Sequence, residues 1–329
     1  MTIPYRLGFP VKVLGAGGLA SADTRRWQSG PHPSRSLELL DAVLDHLRTI
    51  DVTVFRLSSQ TIPYGTHPDL PQLHYRRQLD ECRDRLDALG ARARDQGLRL
   101  STHPGQYTVI NSADPGLTAR SIADLEQDTA LLDALGQGPE AAVVVHVGGL
   151  YGDRPSALDR WARAYETLSP SAQARLALEN DDGPFGVADV LELHRRTGVR
   201  IAYDHHHHRA TAGSVDLPPA DTLAATYRTW AAGVRPKVHL SSPRVDLEHV
   251  DRKVPGTRRT EHVPVAPKLT PHADFISPFD LVDLLRSAPG PLDVMLEAKA
   301  KDLAVQHARA ALARLFPDLA AAEERSATT

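Results

Sequence analysis

A chain of 329 residues, 41% of them hydrophobic and 24% charged, is long enough to bury a large core. Its formal net charge of -3 excludes attachment to nucleic acid by bulk charge alone, though not by a local basic strip. The single cysteine, Cys82, excludes an internal disulfide, and no apolar run approaches the roughly 20 residues of a membrane span.

Aromatic residues are only 5% of the chain, so the core must be built mainly from Ala, Val and Leu. Only six of the 38 basic residues are Lys, and Arg offers phosphate a planar fork of donors. A GC-rich coding sequence explains that bias equally well. Residues 1–10 show no basic segment followed by a long apolar run, so the expectation is a cytoplasmic protein without a signal peptide.

Short apolar runs alternate with longer amphipathic ones from end to end. A strand over 6–9 is followed by a long loop over 11–34 and a helix over 36–50. That helix places Leu37, Leu40, Val43, Leu44 and Leu47 on one face. Strand 53–57 precedes helix 74–96, and strand 99–103 precedes helix 117–135. Strand 142–147 leads to helix 155–168, strand 176–179 to helix 187–196, and strand 200–204 to helix 218–232. Strand 237–240 opens a second long loop over 241–277, which ends at helix 278–287. Strand 293–297 and a helix over 303–315 complete the pattern. Eight strands alternating with eight helices, most strands reading as continuous apolar runs, predict an α/β chain closed into a single (β/α)8 TIM barrel. That domain is expected over 1–318, with a small, charged, disordered tail over 319–329. An open, doubly wound sheet is the alternative, but no G-x-G-x-x-G follows the first strand.

Barrel enzymes carry their chemistry at the C-terminal ends of the strands. Here those ends hold His103, His146, Glu179, Asp204, His239 and Glu297. Several buried carboxylates at one rim are costly unless cations neutralise them. Imidazole and carboxylate without thiolate suit divalent Mn, Zn or Fe, and several such ions together suit a hydrolytic site. The run His205–His208 follows Asp204. An extended backbone would send alternate rings to opposite sides there, so not all four could be ligands. His272 and His67 lie in loops and are weaker candidates alone.

Taken together, these segments resemble the ultraviolet damage endonucleases, xylose-isomerase-like barrels related to endonuclease IV. The matching blocks are FRLSSQTIPYGTHP at 55–68, LSTHPGQY at 100–107, VHVGGLYG at 145–152 and LENDD at 178–182. DHHHH at 204–208, PKVHLSSP at 236–243, HADFI at 272–276 and VMLEAKAKD at 294–302 continue the series. The resemblance implies a DNA repair endonuclease that nicks duplex DNA 5′ to pyrimidine dimers and 6–4 photoproducts; the chain is expected to act as a monomer. It would use up to three divalent metal ions, commonly Mn²⁺, with Zn²⁺, Co²⁺ or Mg²⁺ as other candidates. The implied metal ligands are His103, His146, Glu179, Asp204, His207, His239, His272 and Glu297, with Glu179 bridging. Lys237 would stand beside the metals, touching either phosphate or the metal-binding side chains, and His67 would contact the scissile region. Gln106 and Tyr107 would fill the duplex where the damaged pair is extruded, an insertion that restores lost stacking. Phe9 keeps the aromatic of the family's first strand, as a DNA contact, but no Asn follows it before the glycines.

A metal-dependent sugar isomerase or epimerase on the same barrel is the competing function, and a barrel that only binds is a third. The LSTHPGQY block and the third histidine group favour the nuclease over the isomerase, and the complete ligand set argues against a barrel that only binds. Between 241 and 271 the long loop carries six basic and four acidic residues. Arg258 and Arg259 follow a Pro-Gly turn signal there and are expected to contact DNA phosphate.

Overall fold

The computed structural model describes residues 3–211 and 218–325. β1 (Tyr5–Pro10) is followed by α1 (Pro33–Thr49), β2 (Val54–Arg56), α2 (Tyr75–Glu81), α3 (Arg83–Asp95) and β3 (Arg99–Ser101). Next come α4 (Pro115–Ala134), β4 (Val143–His146), α5 (Arg154–Glu166), α6 (Pro170–Arg175), β5 (Leu176–Glu179) and α7 (Val187–Thr197). β6 (Arg200–Asp204), α8 (His205–Ala210), α9 (Pro219–Tyr227) and β7 (Lys237–Leu240) lead to a hairpin of β8 (Glu248–Lys253) and β9 (Thr260–Val265). α10 (Pro278–Ser287), β10 (Leu292–Leu296), α11 (Asp302–Leu315) and α12 (Pro317–Ala320) follow.

All eight expected strands form one parallel sheet, ordered β3-β2-β1-β10-β7-β6-β5-β4. The sheet closes on itself just beyond β3, where Thr102 N donates to Ala142 O and Val144 N to Thr102 O, each at 3.0 Å. Helices pack around the outside, as α1 does through Leu37, Leu40, Val43, Leu44 and Leu47. Among the described residues, no helix is long and apolar enough to cross a membrane.

Strand parity separates two environments. Val143, Val145, Leu178, Ile201, Tyr203, Val238, Leu240, Val294 and Leu296 join the large apolar layer between barrel and helices. The alternate residues Val144, Ala177 and Ala202 form a small cluster with Ala142 and Trp230. Fully buried Val54 and Met295 share that inward parity, and the remaining inward positions are mostly polar, so the apolar runs expected to face hydrophobic surroundings on both sides do so only in part. At the N-terminal end of the barrel, fully buried Asp293 accepts from Arg6 Nε and Arg99 Nη1, each at 2.7 Å. The Arg99 and Arg200 guanidiniums lie over the Trp230 ring, 5.2 and 4.6 Å from its centroid.

Four expectations need correction. The histidine run is helical rather than extended, because the Asp204 carboxylate caps α8 by accepting from His207 N at 2.7 Å. The long loop after β7 contains the β8–β9 hairpin. The tail expected to be disordered from 319 is packed as far as Arg325: Leu319 is buried, Glu324 N donates to Tyr5 O at 2.8 Å, and Arg309 pairs with Glu323 at 2.7 Å. Residues 326–329 lie outside the described residues. Phe9, expected on DNA, is fully buried, with its ring edge-on to Phe55 at 5.3 Å. It shares the helix-facing side of β1 with Tyr5 and Leu7, which no duplex can reach.

That placement makes Phe9 a stability residue. Phe9→Ala should cost about 3–5 kcal/mol, the usual range for emptying a packed phenyl site. Denaturant unfolding measures it, and a loss below about 1 kcal/mol would contradict the packing.

Candidate metal centre

Parity that points Val144, Ala177 and Ala202 inward points the residues two further on, His146, Glu179 and Asp204, to the C-terminal mouth of the barrel. His103, beyond β3, His239 of β7 and Glu297, beyond β10, arrive at the same mouth. Glu179 lies at the centre and is fully buried. Its carboxylate is 3.0 Å from His103 Nε2, 2.9 Å from His239 Nδ1, and 3.7 Å from both His146 Nε2 and His207 Nδ1. His239 Nδ1 also lies 3.3 Å from Glu297.

Backbone groups hold the rings in place. His103 Nδ1 faces the Pro104 carbonyl at 3.0 Å, His207 Nδ1 the Asn180 carbonyl at 3.0 Å, and His272 Nδ1 the Glu297 carbonyl at 2.9 Å. A carbonyl can only accept, so each of these Nδ1 atoms carries a proton. This is the arrangement that orients histidine for a metal through its other nitrogen. The loop carrying His146 turns at Gly148, where φ is +109° and a Cβ would lie 2.4 Å from Asn111 Oδ1. Only glycine fits there, and Asn111 then clamps Gly149 through its N–H and its carbonyl.

Three overlapping groups have ligand atoms close enough to share an ion: His103–His239–Glu297, His103–His146–Glu179 and Glu179–Asp204–His239–Glu297. Buried His239 Nε2, His146 Nδ1 and Asp204 Oδ2 have no hydrogen-bond partner among the described residues. Burial opposes the charge of His207, but Asp204, Glu179 and Glu297 push its pKa up to about 9. Burial pushes His146 down to about 4 and raises Asp204. Against the same burial, His239, His146 and His103 hold Glu179 well below the ordinary carboxylate range, and Arg56 with His239 does so for Glu297. A pocket of ionised carboxylates, a neutral imidazole and orphaned lone pairs has room electrostatically for cations, so the residues fit divalent metal.

Six of the eight expected ligands fall in the three groups. His207 and His272 stand beside them, 5.8 Å apart ring to ring and 5.8 Å from His207 to His146. Lys237 is fully buried one strand layer below His239, where Nζ donates to Ser101 Oγ at 2.6 Å. Of the two roles expected of it, the phosphate contact is therefore corrected, because the amine is sealed inside the barrel, while a supporting place beneath the cluster is compatible with its position. His67 is exposed on the loop after β2 and accepts from Asp69 N at 3.2 Å, outside the cluster. It lines one surface depression with Tyr107. Gln106 and Tyr107 are exposed on a turn closed by Thr108 N to Gly105 O at 2.9 Å, and Tyr107 is 80% exposed. Arg258 and Arg259 are exposed at the tip of the β8–β9 hairpin.

Two residues outside the expected set support the cluster. Arg56, at the end of β2, makes an ion pair with Glu297. Asn180 clamps the ends of β5 and β6 by donating to Asp204 O and accepting from Asp204 N, both at 2.9 Å. Both follow from strand parity and from adjacency to Glu179.

Because all four surrounding imidazoles converge on Glu179, Glu179→Ala should lower bound divalent metal, measured by mass spectrometry of the purified protein. Metal content equal to wild type would remove Glu179 from the centre.

A family model described as UV-endonuclease UvdE matches residues 35–324. UV DNA damage endonucleases of Bacillus cereus (strain B4264) and Bacillus anthracis (strain A0248) are 29% and 28% identical over 272 residues, 82% of this chain and 78% of each relative. The crystal structure of SacUVDE superposes with a TM-score of 0.76 at 26% identity, covering 94% of this chain and 99% of that one. Endonuclease IV from Thermus thermophilus, at 17% identity and a TM-score of 0.54 over 94% of this chain and 99% of its own, shares the fold. A D-psicose 3-epimerase, at 13% and 0.54 over 96% and 99%, shares the fold alone. Matched over most of its length, the chain belongs to the UV-endonuclease UvdE family and is a DNA repair endonuclease.

Proposed function

We propose that the enzyme nicks the phosphodiester 5′ to pyrimidine dimers and 6–4 photoproducts in duplex DNA, using two or three divalent ions, with Mn²⁺ the preferred one. The observation that carries the reading is the sharing of Glu179 between two of the three ligand groups, beside an exposed Gln106–Tyr107 turn that begins three residues from the ligand His103. His103, His146, Glu179, Asp204, His207, His239, His272 and Glu297 would hold the ions. Divalent ions in such a site activate water near neutral pH and stabilise the charge on the leaving oxygen.

The chain's own residues do the rest. Arg56 keeps Glu297 ionised and in place, and Asn180 fixes the backbone on which Asp204 and His207 depend. Lys237 supports the barrel interior beneath His239 through Ser101. Tyr107, with little else to pack on, presents a ring for insertion, and Gln106 next to it can satisfy the edges of unpaired bases. A photodimer stacks and pairs poorly, so its extrusion costs less than that of normal bases. His67, in the depression shared with Tyr107, would meet the backbone beside the lesion.

Irradiated plasmid should be nicked in Mn²⁺ and not after chelation, with intact plasmid spared, and the breaks should map immediately 5′ to the lesions. Equal cutting of both plasmids, or full activity in chelator, would contradict the reading. Replacing Gln106 and Tyr107 together by Ala should leave metal content unchanged. It should weaken binding to damaged duplex on the order of tenfold or more, since stacking a base on an aromatic side chain is worth roughly 1–3 kcal/mol. An equal loss on undamaged duplex would remove the insertion role.

A further inference from the structure

The segment between Ser242 and His272 is an arm that leaves the metal centre and returns to it. At its root Arg244 N donates to Pro271 O at 3.0 Å and Ala273 N to Ser242 O at 2.9 Å, so the arm ends directly on His272. Beyond the root, β8 and β9 pair antiparallel at six positions, from Glu248 opposite Val265 to Lys253 opposite Thr260. The turn is closed by Val254 N to Arg259 O at 3.0 Å. All ribbon residues are exposed except Glu248, Val263 and Val265, which are half-buried. A two-stranded ribbon is marginal in water by itself. Val245, Leu247, Val250 and Leu269 of the arm are also exposed.

Its charges are sorted. At the root, Arg244 pairs with Glu248 at 3.6 Å, and midway along the ribbon Asp251 is occupied by His262 at 2.9 Å. Towards the tip, no acidic group lies within ion-pair distance of Arg252, Lys253, Arg258 or Arg259 among the described residues, although Glu261 is opposite Arg252 in the ladder. A chain of net charge -3 thus concentrates four cations without ion-pair contacts at the end of an arm rooted beside its candidate metal centre.

The geometry points to a DNA-binding arm: the β8–β9 ribbon lies in a groove of the duplex flanking the nick, with Arg252, Lys253, Arg258 and Arg259 on the phosphates. This rests on the reading of the centre as the site where the duplex is cut. A two-stranded ribbon fits the major groove, which is about 12 Å wide. Six paired positions are five steps of about 3.4 Å, or about 17 Å, which matches about five base-pair steps. The contacts hold the duplex in register and read no sequence. The free edges of the ribbon could instead pair with a second copy of the chain, and the experiment separates the two.

The full chain is compared with two variants by hydroxyl-radical footprinting on a long duplex carrying one photodimer. In one variant residues 249–264 are replaced by a short Gly-Ser turn. In the other Arg252, Lys253, Arg258 and Arg259 are all changed to Gln, which keeps the ribbon. Wild type should protect the lesion tract and, to one side, a further block of about five base pairs. Both variants should lose the block and keep the tract. In the four-fold variant the slope of log affinity against log salt should fall by about 3–4, at about 0.9 per phosphate contact. An unchanged block and slope would overturn the arm, as would a variant that changes only from dimer to monomer. Protection that depends on the ribbon but is not centred on the lesion would leave the arm standing and remove the lesion reading.

Discussion

The structure turns on the burial of carboxylates at one mouth of a barrel. Glu179 and Asp204 are fully buried, Glu297 is nearly so, and all three belong to one group of ligand atoms. Charges so placed repel one another in a low-dielectric pocket and are tolerated only with cations or protons between them. His103, His146, His207 and His239 surround Glu179, and Arg56 answers Glu297. The Asp204 cap that winds the histidine run into α8 is part of the same solution, because it turns His207 back toward the carboxylates.

The opposite end of the barrel uses similar chemistry for a different purpose. There Asp293 is held by Arg6, Arg99 and, at 3.7 Å, Arg235, and Trp230 is covered by Arg99 and Arg200. Each acid is answered by side chains of fixed charge, leaving no demand for metal. Between the ends, Lys237 bonds to Ser101 across the interior, and Ala177 and Ala202 belong to its small apolar cluster. Stability at the N-terminal end and chemistry at the C-terminal end is the usual division of labour in this architecture.

Much of this was legible in the sequence. The strands were visible because each is a short apolar run, and the candidate ligands were visible because six of the strands carry a polar residue of metal-binding type near the C-terminal end. What was missed has physical causes. Four consecutive histidines have no periodicity, so the cap on Asp204 was the only helix signal. The β8–β9 ribbon is exposed on most of both faces and lacks the apolar alternation by which strands are recognised. Phe9 was read from its motif, although its spacing from Tyr5 and Leu7 marks it as facing the helices. Lys237 lies two residues before His239, which places it on the same inward side but one layer deeper.

The central claim is that Glu179 is shared by cations. Anomalous diffraction at the manganese edge, from crystals grown with Mn²⁺, tests it most directly. The account predicts at least two peaks flanking the Glu179 carboxylate, about 3.5–4 Å apart as in other two-metal hydrolytic sites. One peak should lie on the His103–His146 side and one on the His239–Asp204–Glu297 side. A single peak that leaves Glu179 without a metal contact, or none at the barrel mouth, would contradict it.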